Sequence, residues 1–245
     1  MSFEGHKVLV VGGSSGLGRA TAKAFLDAGA TVWIASRDTE KLEAAKRLLG
    51  GGDRLYALTL DMTDADQVAR LHESFPDGLD HLVISASQAA HGSFANLDVS
   101  AVEAMFASKF IGPYRVAQAL LPTMRPGGSI TFFSGVLSRR PGRGVAGLAA
   151  VNAAVEGLTR ALALELGPGI RINCLSPGMV GTEAYAAMPE DRRAAMLAET
   201  GASLPVNRTG TPREVAQGVL MLAANGYVTG HVLDIDGGHM VRSGG

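Results

Sequence analysis

The feature that most limits what this chain can become is an alternation. Seven short apolar runs lie at 7–11 (KVLVV), 31–35 (TVWIA), 54–60 (RLYALTL), 80–85 (DHLVIS), 128–133 (GSITFF), 169–175 (GIRINCL) and 231–236 (HVLDID). Between them run longer stretches of helical period, at about 16–28, 38–49, 64–75, 99–122, 146–166 and 212–224. The apolar runs are nearly continuous rather than alternating with polar residues. Strands covered on both faces have that character, and this is the condition of a parallel sheet. Right-handed crossovers then give an α/β fold: a doubly wound, seven-stranded parallel sheet with helices on both sides.

The chain has 245 residues, 47% of them hydrophobic, with no linker, repeat or low-complexity tract. A single domain spanning 1–245 is the expectation. Residues 182–203, TEAYAAMPEDRRAAMLAETGAS, interrupt the alternation with a small helical insertion. The insertion follows the C-terminal end of a strand, where such sheets bind ligands, so it is a candidate lid. The alternative is a surface excursion with no ligand role.

Charge and cysteine usage exclude several classes. A net charge of −1 gives no broad field for nucleic acid or an anionic membrane. Cys174 is the only cysteine, so neither an intrachain disulfide nor a cysteine metal cluster is expected. The histidines show no metal-ligand spacing, and no metal is predicted. No signal peptide and no apolar run of about 18 residues is visible, so a soluble cytoplasmic protein is expected.

The first strand leads into GGSSGLGRATAKAF, which sets Gly12, Gly16 and Gly18 between a strand and a helix. Gly12 allows a sharp exit from the strand, Gly16 a close approach of backbone to phosphate, and Gly18 tight helix–sheet packing. The helix N-terminus then offers unpaired N–H groups to a pyrophosphate, the Rossmann-type arrangement. Leu17 completes the loop, and Ser14 and Ser15 add hydroxyls for a ribose 2′-phosphate. The second strand ends WIASRD, with Ser36 and Arg37 where a cofactor bearing a free ribose 2′-OH usually meets an acid. Arg37 suits a 2′-phosphate, which favours NADP(H) over NAD(H). The alternative is a solvated arginine beside Asp38. After the third strand, Asp61 and Met62 lie in LDMTD; Asp61 either accepts from an adenine amino group or, like Thr63, caps the helix near Asp64.

Taken in order, these motifs resemble the short-chain dehydrogenase/reductase family along nearly the whole chain. GGSSGLG is similar to its glycine segment and LDMTD to its adenine-side acid. NAAVEGLTRALALEL is similar to its long central helix, LSPGMVGT to its nicotinamide loop and VTGHVLDIDGG to its C-terminal strand. The resemblance implies that Pro177, Gly178, Val180 and Thr182 line the nicotinamide carboxamide. Ser85, Ala86 and Ser87, after Ile84, stand where the family has Asn-Asn-Ala-Gly. It also implies a homodimer or homotetramer formed through the helices at about 99–122 and 146–166.

The resemblance breaks at the chemistry. The family's Tyr-x-x-x-Lys pair falls on Leu148 and Asn152, its Ser on Gly135 and its Asn on Lys109. A general acid is typically worth ~10²–10⁴ in rate and an oxyanion donor ~10²–10³. The usual alcohol–ketone reaction is therefore not expected. Asn and Lys look exchanged, so Lys109 and Asn152 are expected to keep a clamp on the nicotinamide ribose while the proton donor is gone. The alternative is a disused site with Lys109 pointing to solvent.

Other polar candidates are weaker. His91 follows the fourth strand and, as an imidazole, is the best substitute acid, against an ordinary exposed loop histidine. Tyr185 on the insertion is an outside candidate. Ser134 and Ser138 are possible oxygen donors. Arg139, Arg140 and Arg143 border the substrate space, where one suits an anionic group, though most are expected to be solvated. Thr211, Pro212 and Glu214 read as a structural capping box. Two functions follow. One is an NADP(H)-dependent oxidoreductase with a non-standard proton path, acting on a small apolar acceptor such as an imine, conjugated or carbonyl compound. The other is a non-redox coenzyme-binding protein: a sensor, a non-catalytic subunit or a cyclisation template.

Overall fold

The inner apolar runs become strands because both of their faces find cover, whereas the edge strands are covered only in part. In the computed structural model, which describes residues 1–186 and 188–242, the chain runs β1 (Lys7–Val11), α1 (Gly16–Asp27), β2 (Thr31–Ser36), α2 (Thr39–Leu49) and β3 (Leu55–Thr59). It continues through α3 (Ala65–Ala69), β4 (Leu79–Ile84), α4 (Val99–Phe106), α5 (Gly112–Leu120), β5 (Met124–Phe133) and α6 (Ala146–Leu166). It closes with β6 (Arg171–Pro177), α7 (Glu190–Ala202), α8 (Pro212–Ala224) and β7 (Val232–Ile235). The strands form one parallel sheet of seven in the order β3-β2-β1-β4-β5-β6-β7. Successive side chains of β1 face opposite layers. Val8 and Val10 pack with Phe25, Ile34 and Val219, whereas Leu9 and Val11 pack with Leu82, Leu120 and Ile172. Truncating one of these buried aliphatics to Ala typically costs about 2–5 kcal/mol.

The order of the sheet reverses between β1 and β4. Connections leave to opposite sides there, which opens a crevice at the C-terminal ends of the two strands. Several helix starts are fixed by capping side chains. Asp38 accepts from Lys41 N–H at 3.0 Å at the start of α2, and Asp98 from Ser100 N–H at 2.9 Å at the start of α4. Thr211 and Glu214 form the expected capping box, with Pro212 in the first turn.

Three stretches depart from the sequence expectation. The helix expected at 64–75 stops at Ala69 and tightens into a 3-10 turn over Leu71–Ser74. Pro76 follows, and it disfavours helical backbone at Phe75. The helix expected at 99–122 is interrupted by a π-helical turn at Ala107–Ile111. Pro113 explains it: with no N–H to give to the Lys109 carbonyl four residues back, it forces the turn to widen. β5 begins at Met124 rather than 128, and its pairing with β4 shifts register between Leu79 and His81.

Candidate functional site

At the reversal point the chain turns sharply out of β1. Gly12 has φ +88, and a Cβ there would lie 2.6 Å from the Ala86 backbone nitrogen. A Cβ on Gly18 would lie 2.1 Å from the Gly12 carbonyl oxygen. Both contacts are with neighbouring backbone, so no side chain fits at either place. A crevice of about 700 Å³ opens over this loop. Gly12, Ser14, Ser15, Gly16, Leu17 and Gly18 form its floor. Ser36, Arg37, Asp61 and Met62 line one side and Ser85, Ala86, Ser87 and Thr182 another.

The rim residues have resolved roles. Asp38 does not neutralise Arg37; it caps α2 and pairs with Lys41. Arg37 therefore stands exposed on the crevice wall. Asp61 does not cap α3 either. Its carboxylate accepts from Thr63 N–H at 2.9 Å and Thr63 Oγ1–H at 2.7 Å, while Asp64 is the cap, accepting from Asp66 and Gln67 N–H. Ser85 is tied by Oγ to the Val11 carbonyl at 3.1 Å.

A second group lies around the end of β5 and does not contribute to that wall. The π turn carries Lys109 inward, where it is 9% exposed. Its Nζ donates to the Ser134 carbonyl at 3.3 Å. Burial pushes its pKa down to about 8, with a small opposing effect from Cys174. The alternative of a lysine pointing to solvent is thus overturned. Asn152, on α6, is 2% exposed and its Oδ1 is one of the buried polar atoms with no hydrogen-bond partner among the described residues. Its Nδ2 stands 3.1 Å from where a Gly135 Cβ would be, and the Pro177 carbonyl 3.9 Å from the same point. Lys109, Gly135, Asn152 and Pro177 are therefore brought together. Leu148 is half-buried near the start of α6.

A family model described as "Enoyl-(Acyl carrier protein) reductase" matches residues 11–240. The chain belongs to the short-chain dehydrogenase/reductase family. Over 250 residues it is 32% identical to the 3-oxoacyl-[acyl-carrier-protein] reductase FabG of Thermotoga maritima, covering 98% of this chain and 100% of that one. Among solved structures it is similar to an NADPH-bound short chain oxidoreductase of Pseudomonas aeruginosa PAO1, described as containing an atypical catalytic center. The TM-score is 0.91 at 30% identity, over 97% and 98% of the two chains. It is also similar to the MalC reductase/Diels-Alderase of Malbranchea aurantiaca, with a TM-score of 0.90 at 27% identity over 98% of each chain.

Against the family frame, several polar residues stand away from their expected places. His91 is exposed and is not among the residues that line the crevice. Arg139 is not a solvated loop charge: its guanidinium pairs with Asp234 and reaches Ser176 Oγ at 3.2 Å and Glu156 Oε2 at 3.5 Å. Arg140 donates to the Met240 carbonyl at 3.3 Å, whereas Arg143 is exposed. Ser134 and Ser138 both donate to buried Glu156, at 3.2 Å and 2.5 Å. Tyr185 gives its hydroxyl to Met179 Sδ at 3.2 Å, and burial raises its pKa.

The nicotinamide-loop candidates are held by β7 and by the segment before α8. Gly178 N–H donates to the Ile235 carbonyl at 3.0 Å, and Val180 is buried and bridges to Gly210. Among the crevice residues missed in the sequence, two bear on the argument. Ser108, next to Lys109, accepts from Gln88 N–H at 3.1 Å. Glu183 follows Thr182 directly, and that adjacency was the only signal for it.

Proposed function

We infer that the protein is an NADP(H)-dependent oxidoreductase whose proton path departs from the family's Tyr–Lys–Ser set. One observation carries this reading: the buried lysine. Placing an ammonium in an apolar interior is costly and survives where the charge has a use. Lys109 Nζ bonds the Ser134 carbonyl, next to the Gly135 position against which the Asn152 amide stands, and Asn152 Oδ1 lacks a donor among the described residues, which supports the reading.

The residues present fit a dinucleotide. The α1 N-terminus and the glycine loop, with Ser14 and Ser15, hold the pyrophosphate, and the exposed Arg37 guanidinium beside Ser36 takes the 2′-phosphate. Asp61 accepts from the adenine amino group, with Met62, Ser85, Ala86 and Ser87 along the ring and ribose. Lys109 donates to the nicotinamide ribose and Asn152 accepts from it. Pro177, Gly178, Val180 and Thr182 surround the carboxamide. When bound, the nicotinamide supplies or accepts a hydride. Leu148 presents hydrocarbon where the family has a phenol, and Gly135 presents no hydroxyl, so no side chain there donates a proton. An acceptor that is already cationic, such as an iminium, needs none. A conjugated acceptor takes its proton from water admitted past the 182–203 segment, which acts as the lid. Pairing through α4–α5 and α6 makes the protein a homodimer or homotetramer, a state that sedimentation measures directly.

A second reading is a coenzyme-binding protein without redox turnover, and the missing phenol and hydroxyl favour it. The printed name of the Malbranchea relative joins reductase to Diels-Alderase. Loss of nicotinamide absorbance decides between the two, measured with NADPH against imines, enones and quinones. Turnover with at least one class is expected. NADPH binding with no oxidation across the panel favours the second reading.

A further inference from the structure

The insertion already touches the glycine loop. Glu183 Oε2 accepts the Gly16 N–H at 3.0 Å, and its other oxygen is ion-paired with Arg19 of α1. Burial alone would raise this carboxyl, but hydrogen bonds from its own backbone, Arg19 and Gly16 outweigh that and hold it below the usual range. The Gly16 N–H belongs to the unpaired donors at the start of α1, which Ser15 does not cap with its side chain. A carboxylate and a phosphate oxygen compete for the same hydrogen and the same dipole end. The Glu183 side chain is 48% exposed, so it can turn away without opening the core.

A second cleft, of about 680 Å³, lies across this contact. Gly16, Thr182, Glu183 and Ala186 border both it and the coenzyme crevice. It is lined by Arg19 and Lys23 of α1, the latter paired with Asp27, and by Arg193 of α7. A carboxylate leaving the loop on this side therefore meets cationic side chains.

We propose that Glu183 is an internal stand-in for the coenzyme pyrophosphate. Its carboxylate holds the Gly16 N–H in the free protein. Coenzyme binding turns it out into the cleft lined by Arg19 and Arg193 and leaves the Gly16 N–H to the pyrophosphate. The proposal rests on the dinucleotide reading above. Glu183 then sets coenzyme affinity, and its release ties the insertion to the state of the glycine loop. Apparent affinity scales with the fraction of protein in which Glu183 is out, so removing the carboxylate strengthens binding by about tenfold.

Calorimetric titration of the full chain with NADPH tests this, comparing wild type with Glu183→Gln and Glu183→Ala. Adenosine 2′-phosphate, which has the ribose phosphate but no pyrophosphate, is titrated in parallel. Both variants should bind NADPH about tenfold tighter, with adenosine 2′-phosphate changed by less than about twofold. Equal or weaker NADPH binding in the variants overturns the proposal, as does an equal gain for adenosine 2′-phosphate, which reports only a lost surface charge. If NADPH binds no form of the protein, the dinucleotide reading itself falls, and the stand-in with it. Thermal melts confirm that the variants are folded.

Discussion

The two groups of candidate residues are built from different material. At the glycine loop the shape is made by backbone: Gly12 and Gly18 exclude side chains because main-chain atoms stand within 2.6 Å and 2.1 Å of any Cβ. Around Ser134 the arrangement is made by side chains, with Lys109 on a π turn and Asn152 on α6. The comparison teaches how a fold changes chemistry. A backbone cradle tolerates almost no substitution and persists. A side-chain constellation can be rewritten residue by residue while the strands and helices that carry it stay put.

The comparison breaks first at Gly18. Gly18→Ala should lower NADPH affinity by more than about a hundredfold, because the methyl displaces the Gly12 carbonyl and with it the loop. Calorimetry on folded variant checks this, and wild-type affinity would show that the cradle is not backbone-limited.

Lys109 sharpens the contrast. Its folded pKa of about 8 lies below its unfolded value of 10.5, so the unfolded chain binds more protons between those pH values. Stability should therefore rise as pH increases from 8 to 10.5, and at pH 7 the buried ammonium costs about 3 kcal/mol at most. Lys109→Met should stabilise the fold by about 1–3 kcal/mol in urea denaturation while weakening NADPH binding by about tenfold. A stabilised variant with unchanged affinity would remove Lys109 from the ribose clamp. Combined with Asn152→Ala, the loss in affinity should be less than additive; strict additivity argues against a shared clamp.

The smallest effect is expected at the rim. Arg37→Ser should weaken NADPH by about tenfold or less and leave NADH unchanged, since an exposed charge acts through a screened contact. Equal losses for both coenzymes would assign Arg37 a general electrostatic role.

The fold was legible in the sequence because the inner strands, covered on both faces, wrote nearly unbroken apolar runs, and the glycine spacing marked the reversal point. The local breaks were harder to read. Pro76 and Pro113 were visible, but whether a proline ends a helix, tightens it or widens it depends on what lies beside it, here Met62 against Gly112. In the candidate site, the burial of Lys109 follows from that widened turn. The Arg139–Asp234 pair spans 95 residues and the Glu183–Gly16 contact 167, distances at which no local pattern signals an approach.

The wide turn at Ala107–Ile111 makes the inward lysine a matter of counting. Each residue of a helix advances the side-chain direction by about 100°, so excising one position ahead of Lys109 would swing its amine away from the Ser134 carbonyl without altering a single chemical group. Where the ammonium sits is thus encoded by chain length as much as by residue identity.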